Sequence, residues 1–334
     1  MKKLSVIAIL SLVVNLFIQC KKEDEQTPIK DFILAKNALS LEKEVQERIA
    51  ITSGNGTYTI SQTGDSKLIA EVSLANNNTE LLVKSLTEGS TSVEITDLLS
   101  KKSVKLEILV LSKVTAQDYE LSDDKKTLIQ WKGTTTKVLD MNTIEELKGV
   151  ASIEKDAFRG NESIEFVIFN NNLTSIGNRV FYNCKNLKEV RIPDSVTTLG
   201  GASFSGCENL EKVNLPKGLT SIEAVTLYNC HKVTEIIIPE GVTKIDWNAF
   251  SGTGVKELVF PASIESLDTN VVAFCKKLEK MTFRGNTPPS IKYNSLRRNV
   301  EEPTLKIYVP KGKKQTYIES SRYWKNFEDF IEEF

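Results

Sequence analysis

The sequence predicts a mostly-β chain, α+β only in its short helical stretches. It is built as two units in series: an N-terminal β-sandwich and a capped repeat solenoid with one parallel sheet. Three observations predict this. Residues 150–284 repeat with a period of 23. Residues 32–112 carry short alternating runs divided by turn residues. The whole is preceded by an apolar leader and closed by an aromatic tail. With 334 residues, a hydrophobic content of 40% and a charged content of 26%, the chain has room for two ordinary domains. A formal charge of −1 gives no basic excess for a nucleic-acid partner.

The first element is a targeting segment, residues 1–19. Lys2 and Lys3 form a positive start, and Leu4 to Ile18 is an apolar run too short for the roughly 20 residues of a membrane span. Cys20 follows in Leu16-Phe-Ile-Gln-Cys20, which resembles a bacterial lipoprotein box in which the cysteine becomes the lipidated N-terminus. Gln19 departs from the small residue usual there. Residues 20–31 form a charged tether, and Lys21-Lys-Glu-Asp-Glu25 is similar to the surface-export signals of Bacteroides-type lipoproteins. The resemblance implies an outer-membrane lipid anchor and display at the cell surface.

Residues 32–112 follow. Candidate strands are Val45–Ile51, Thr57–Gln62, Leu68–Leu74, Glu80–Ser85, Ser90–Thr96 and Ser103–Leu111, with turn signals such as Ser53-Gly-Asn-Gly56 and Asn76-Asn-Asn78 between them. Spacing of about ten residues points to a small sandwich. The stretch Gly89-Ser-Thr-Ser-Val-Glu-Ile-Thr-Asp97 resembles bacterial immunoglobulin-like domains, with the role of a spacer. Residues 113–149 provide a linker and a hairpin at Tyr119–Gly133 that caps the first repeat, since solenoid ends otherwise expose core.

In residues 150–284 one column reads Phe158, Phe181, Phe204, Leu227, Phe250, Phe274 and another Ile153, Ile176, Leu199, Ile222, Ile245, Leu267. Pro193, Pro216, Pro239 and Pro261 close each strand, because proline cannot donate to a ladder. In Leu187-Lys-Glu-Val-Arg-Ile-Pro193 the alternation points Val190 and Ile192 inward and Glu189 and Arg191 outward. A turn, a second short strand or turn at Val196-Thr-Thr-Leu199 and a short helical stretch near Ala202–Phe204 return the chain. A fixed period with Leu, Ile and Val at constant offsets marks a leucine-rich-repeat solenoid. The segment Phe181-Tyr-Asn-Cys184-Lys-Asn-Leu187 and its continuation resemble the BspA-like leucine-rich repeats of bacterial surface proteins. Residues 285–334 add a last repeat and a cap. There Tyr317–Phe327 reads as one amphipathic helix over the open end, with Trp324 and Phe327 as core.

No residue set suggests catalysis. His231 is the only histidine and falls in a turn, so no Ser–His or Cys–His pair can form without it. Neither HExxH, P-loop nor GxGxxG occurs. Cys184, Cys207, Cys230 and Cys275 share one repeat position, which suits buried thiols better than disulfides or a tetrahedral metal site. The chain is therefore expected to be no enzyme and to hold neither cofactor nor metal.

The informative surface is the outward strand face. One row reads Phe166, Glu189, Lys212, Glu235, Glu257, Lys280, and the next Ile168, Arg191, Asn214, Ile237, Val259, Thr282. The first row alternates mostly in sign. The second places Ile237 beside Val259, and exposed apolar pairs mark interaction sites. Phe166 and Ile168 are expected under the N-terminal hairpin. The candidate ligand-binding residues are Glu189, Arg191, Lys212, Asn214, Glu235, Ile237, Glu257 and Val259. The BspA-like resemblance implies binding of host or extracellular-matrix proteins, or of another cell surface. The alternative is a glycan-binding surface lipoprotein associated with polysaccharide uptake, for which Trp247 and Tyr228 are the candidate stacking residues, both close to the core-packing segment.

Overall fold

A computed structural model describes residues 29–62, 64–296 and 305–334. The leader and Cys20 lie outside the described residues.

The N-terminal unit is two four-stranded sheets facing one another. One has the order β1 (Ile33–Leu34), β3 (Gln46–Ser53), β6 (Glu80–Ser85), β5 (Ala70–Ala75). The other runs β2 (Ala38–Leu41), β8 (Ser103–Val110), β7 (Gly89–Asp97), β4 (Tyr58–Ser61). Alternation drives the pairing of faces: Ile49, Leu81 and Val83 from one sheet meet Val93, Ile95, Leu106 and Ile108 from the other in a single sealed core. Two short strands, β1 and β2, add to the six expected. Their two and four residues are too few to show a period in the sequence. The strand expected over Leu68–Leu74 begins later, because a helical turn α1 (Gly64–Ile69) precedes β5. The β5–β6 connection passes through Asn76, Asn77 and Asn78, with φ of 47, 51 and 65°. Asparagine is the side-chain-bearing residue that accepts the left-handed region most readily.

From residue 119 the chain winds into coils with two strand positions each, and the stretch Val196–Leu199, read as a short strand or a turn, holds a strand at Thr198–Leu199. On the first face β11 (Val138–Asp140), β13 (Phe166–Ile168), β15 (Glu189–Arg191) and β17 (Lys212–Val213) form one parallel sheet. On the second, β12 (Ser152–Ile153), β14 (Ser175–Ile176) and β16 (Thr198–Leu199) do the same. The single sheet read from the sequence is thus two ribbons. Each ribbon is also interrupted. The first resumes only at β20 (Glu257–Phe260) and β22 (Lys280–Phe283), leaving 234–238 outside any strand. The second resumes at β18 (Ser221–Ile222), β19 (Lys244–Ile245), β21 (Ser266–Leu267) and β23 (Ser290–Ile291). A local cause is visible at Asn214. Its amide donates to Ile192 O at 2.6 Å and accepts from Ile192 N at 2.9 Å, so a side chain occupies the backbone ladder just where β17 ends.

The return stretch near Ala202–Phe204 is a turn with two left-handed corners, so a right-handed helix cannot pass through it. One corner column is Asp156, Arg179, Ala202, Val225, Asn248, Asn270 and Asn294, with φ between 52 and 62°. The other is Gly160, Asn183, Gly206, Asn229, Gly252 and Phe274, with φ between 58 and 76°. This corrects the aromatic column. Phe250 N bonds Val271 O just as Phe204 N bonds Thr226 O, so Val272 holds the next core position and is fully buried. Phe274 instead sits on a corner, 53% exposed. The buried aromatics stack along the axis, with Trp131, Phe158, Phe181 and Phe204 successively 5.4, 4.8 and 5.6 Å apart.

Both solenoid ends are covered. The antiparallel hairpin β9 (Tyr119–Leu121) and β10 (Thr127–Trp131) adds to β12 in parallel register. At the far end β24 (Lys306–Val309) and β25 (Ile331–Glu333) complete the first-face sheet. The expected single helix is two, α2 (Lys314–Ser320) and α3 (Arg322–Lys325), because Ser321 is extended and its hydroxyl caps α3 through Trp324 N. Trp324 is fully buried and donates Nε1 to Pro289 O at 2.9 Å.

Candidate functional site

The sandwich lies against the N-terminal part of the first face. Leu109 and Leu111 pack with Val138, Phe166 and Ile168. Phe166 and Ile168 are therefore covered by the sandwich and not by the hairpin, because β8 reaches them first. Arg191 Nη2 meets Glu107 Oε2 at 3.1 Å, and Arg191 Nε meets Glu189 Oε1 at 2.6 Å. Burial works against the Arg191 charge, but hydrogen bonds and attraction from Glu189 and Glu107 outweigh it and raise its pKa. Of the eight residues singled out from the sequence, Glu189 and Arg191 thus stand at the junction of the two units. A polar crevice of about 300 Å³ remains there, lined by Thr91, Lys105, Lys188 and Glu211 among others.

Beyond that junction the face is open. Asn214 spends its amide on Ile192, as described above. Lys212 reaches Glu189 at 3.7 Å, and Glu257 reaches Lys280 at 3.4 Å. Such exposed pairs contribute little, about 0–1 kcal/mol each. Glu235 and Lys256 have no ion-pair partner among the described residues.

Ile237 is the centre of the face. It is 73% exposed, the largest exposure of any large apolar side chain among the described residues. The interruption of the ladder at 234–238 leaves it standing between two adjoining furrows. One, of about 1100 Å³, is lined by Glu235, Ile237, Pro239, Lys256, Glu257 and Val259. The other, of about 510 Å³, is lined by Lys212, Asn214, Leu215, Lys217, Glu235 and Ile237. The structure therefore brings Lys212, Asn214, Glu235, Ile237, Glu257 and Val259 together on one surface. An apolar knob with charged walls suits a broad, mixed contact better than enclosure of a small molecule.

The cysteines are in the core. Cys184, Cys207, Cys230 and Cys275 are buried as thiols, and their Sγ atoms donate to Phe158, Phe181, Phe204 and Phe250 O at 3.0–3.1 Å. Burial pushes the Cys184 thiol up to about 12 and raises Cys207 and Cys230 as well. His231 is exposed at a turn, its Nδ1 2.7 Å from Gly252 O. No group of three His, Cys, Asp or Glu side chains is placed to hold a metal among the described residues. Of the two stacking candidates placed close to the core-packing segment, Tyr228 is half-buried but Trp247 is 47% exposed, and Tyr293, which the sequence did not single out, is 61% exposed.

The coil geometry is matched by the family comparison. Residues 142–295 fit the family described as BspA type leucine-rich repeat region. The match comprises six copies of the repeat. The matched stretch includes every open residue of the candidate face. No curated protein matches the chain. Similar solved structures include a leucine-rich cell surface protein of Faecalibacterium prausnitzii, 20% identical over 59% of this chain and 70% of that one, with a TM-score of 0.40. A leucine-rich repeat protein of T. pallidum is 19% identical over 51% and 71%, TM-score 0.34. One from Eubacterium ventriosum is 16% identical over 58% and 54%, TM-score 0.44.

Proposed function

We propose that this chain is a cell-surface lipoprotein that recognises a macromolecule, a host or matrix protein or another cell's surface protein, through the open first face of its repeats. Cys20 is its lipid attachment point, the outer membrane its anchorage, and the sandwich an immunoglobulin-like spacer. It acts by binding and carries out no reaction. The single observation behind this reading is Ile237. A large apolar side chain held out at the break in the strand ladder, between Glu235 and Lys256, neither with an ion-pair partner among the described residues, has a stabilising role only when something covers it. Affinity would then come from a desolvated centre and a charged rim, the arrangement of ordinary protein interfaces.

The test is binding of the purified protein to an array of matrix and cell-surface proteins, alongside Ile237→Glu and Val259→Lys. A central anchor lost from an interface costs about 2 kcal/mol or more, roughly thirtyfold in Kd. Loss of that size in both variants supports the assignment. A protein ligand bound equally well by both variants removes the site from this face. For the anchor, metabolic labelling with a fatty-acid analogue should mark the native chain and not Cys20→Ala.

A further inference from the structure

A second surface lies on the turn that follows the other strand ribbon. Ile245, Leu267 and Ile291 are aligned partners in β19, β21 and β23. Two residues on, the same coil position holds Trp247, Thr269 and Tyr293. Earlier coils place Lys155, Asn178, Gly201 and Ala224 there, so the coil next to Trp247 on its N-terminal side offers only the methyl group of Ala224 at this position. Successive coils rise by about 4.8 Å, which sets the Trp247 and Tyr293 positions about 9.6 Å apart with Thr269 between them. Both aromatics are substantially exposed, at 47% and 61%.

The acids that precede Trp247 and Thr269 are held in place. Asp246 accepts from Trp247 N at 3.1 Å and from Lys244 Nζ at 3.3 Å. Asp268 accepts from Thr269 N at 2.5 Å and from Lys292 Nζ at 2.6 Å. Burial raises the Asp268 pKa, but the Lys292 ammonium and the Thr269 donors outweigh it and leave the group lowered and ionised. A carboxylate has about four acceptor sites, so each of these retains capacity for hydroxyl donors.

We infer that this ridge is a carbohydrate site that takes an extended β-1,4-linked pyranose chain laid along the solenoid axis. The C–H face of a pyranose packs flat on an indole or phenol ring, and its hydroxyls seek fixed carboxylates at the edge. In an extended β-1,4 chain alternate sugars present the same face. Two rings separated by two coil rises match sugars separated by two linkages, with the middle sugar over Thr269. A protein hot spot would instead gather its aromatics into one contiguous apolar cluster. The site is separate from the Ile237 face, and its fate does not depend on that assignment.

The chain supplies its own reporter. Of its three tryptophans, Trp131 and Trp324 are buried and Trp247 is the exposed one. The experiment is a tryptophan-fluorescence titration of the full chain with cellohexaose, backed by calorimetry, with cellobiose and the curled α-1,4 maltohexaose as comparisons. Expected are saturable binding of cellohexaose, at least tenfold weaker binding of the other two, and loss of the signal in Trp247→Ala. Tyr293→Ala should weaken cellohexaose at least tenfold while keeping the reporter, and Ile237→Glu should bind it normally. Far-UV circular dichroism of each variant checks that the fold is retained. No saturation by cellohexaose, equal affinity for maltohexaose, or full affinity in Tyr293→Ala would overturn the inference. So would a ridge whose Trp247→Ala variant loses a protein ligand and no sugar.

Discussion

Val225 stands at a left-handed corner, φ 52°, in a column otherwise filled by Asp, Arg, Ala and Asn. A branched Cβ is poorly suited to that region, where an L-residue loses about 1–2 kcal/mol relative to right-handed backbone. Val225 is half-buried and is not among the side chains packed on the solenoid core, so replacing it forfeits only a fraction of a buried valine's contribution, a few tenths of a kcal/mol. Val225→Asn should therefore stabilise the protein by about 1 kcal/mol, a rise of roughly 2–4 °C in Tm for a unit of this size. The reciprocal change one coil later, Asn248→Val, starts from φ 53° and should cost about 1–2 kcal/mol. Thermal and urea denaturation followed by circular dichroism would measure both. Because solenoid stability is close to a sum over neighbouring coils, the two effects should nearly cancel in the double variant. A lower Tm for Val225→Asn, or no change in either direction, would refute the claim that these corners carry strain.

Three further outcomes are expected. Trp324→Ala, which empties the C-terminal cap and leaves Pro289 O without its donor, should lower stability by about 3–5 kcal/mol in denaturant titrations. Leu109→Asp should loosen the sandwich from Phe166 and Ile168 without unfolding either unit, seen as faster trypsin cleavage after Lys113 in the linker. The buried Cys184 thiol has its pKa raised from 9.0 to about 12, so folding favours its protonated form. Its contribution is complete below about pH 9 and is lost as pH rises toward 12, and native protein at pH 8 should react slowly with a thiol reagent. Cys184→Ala should flatten the alkaline fall in stability, and an unchanged slope would place its cause elsewhere.

The period of the solenoid, its inward and outward residues and its buried cysteine line could be read from the sequence. Each is a local consequence of side-chain alternation repeated at a fixed interval. Ile237 and Val259 were legible for the same reason. The left-handed corners were not, because Arg179, Val225 and Phe274 give no sign of positive φ, and Phe274 imitated a core column two residues out of place. That the second strand position pairs into a ribbon of its own, and where both ribbons break, depend on partners a coil away, such as Asn214 on Ile192. The sequence by itself determined that the chain coils and which side chains point outward. Only the tertiary structure decided which of those are reachable: the sandwich covers Phe166 and Ile168 and engages Arg191, leaving Ile237 open. Burial between units is set by packing across long sequence separations, such as Glu107 with Arg191, and no repeat pattern records it.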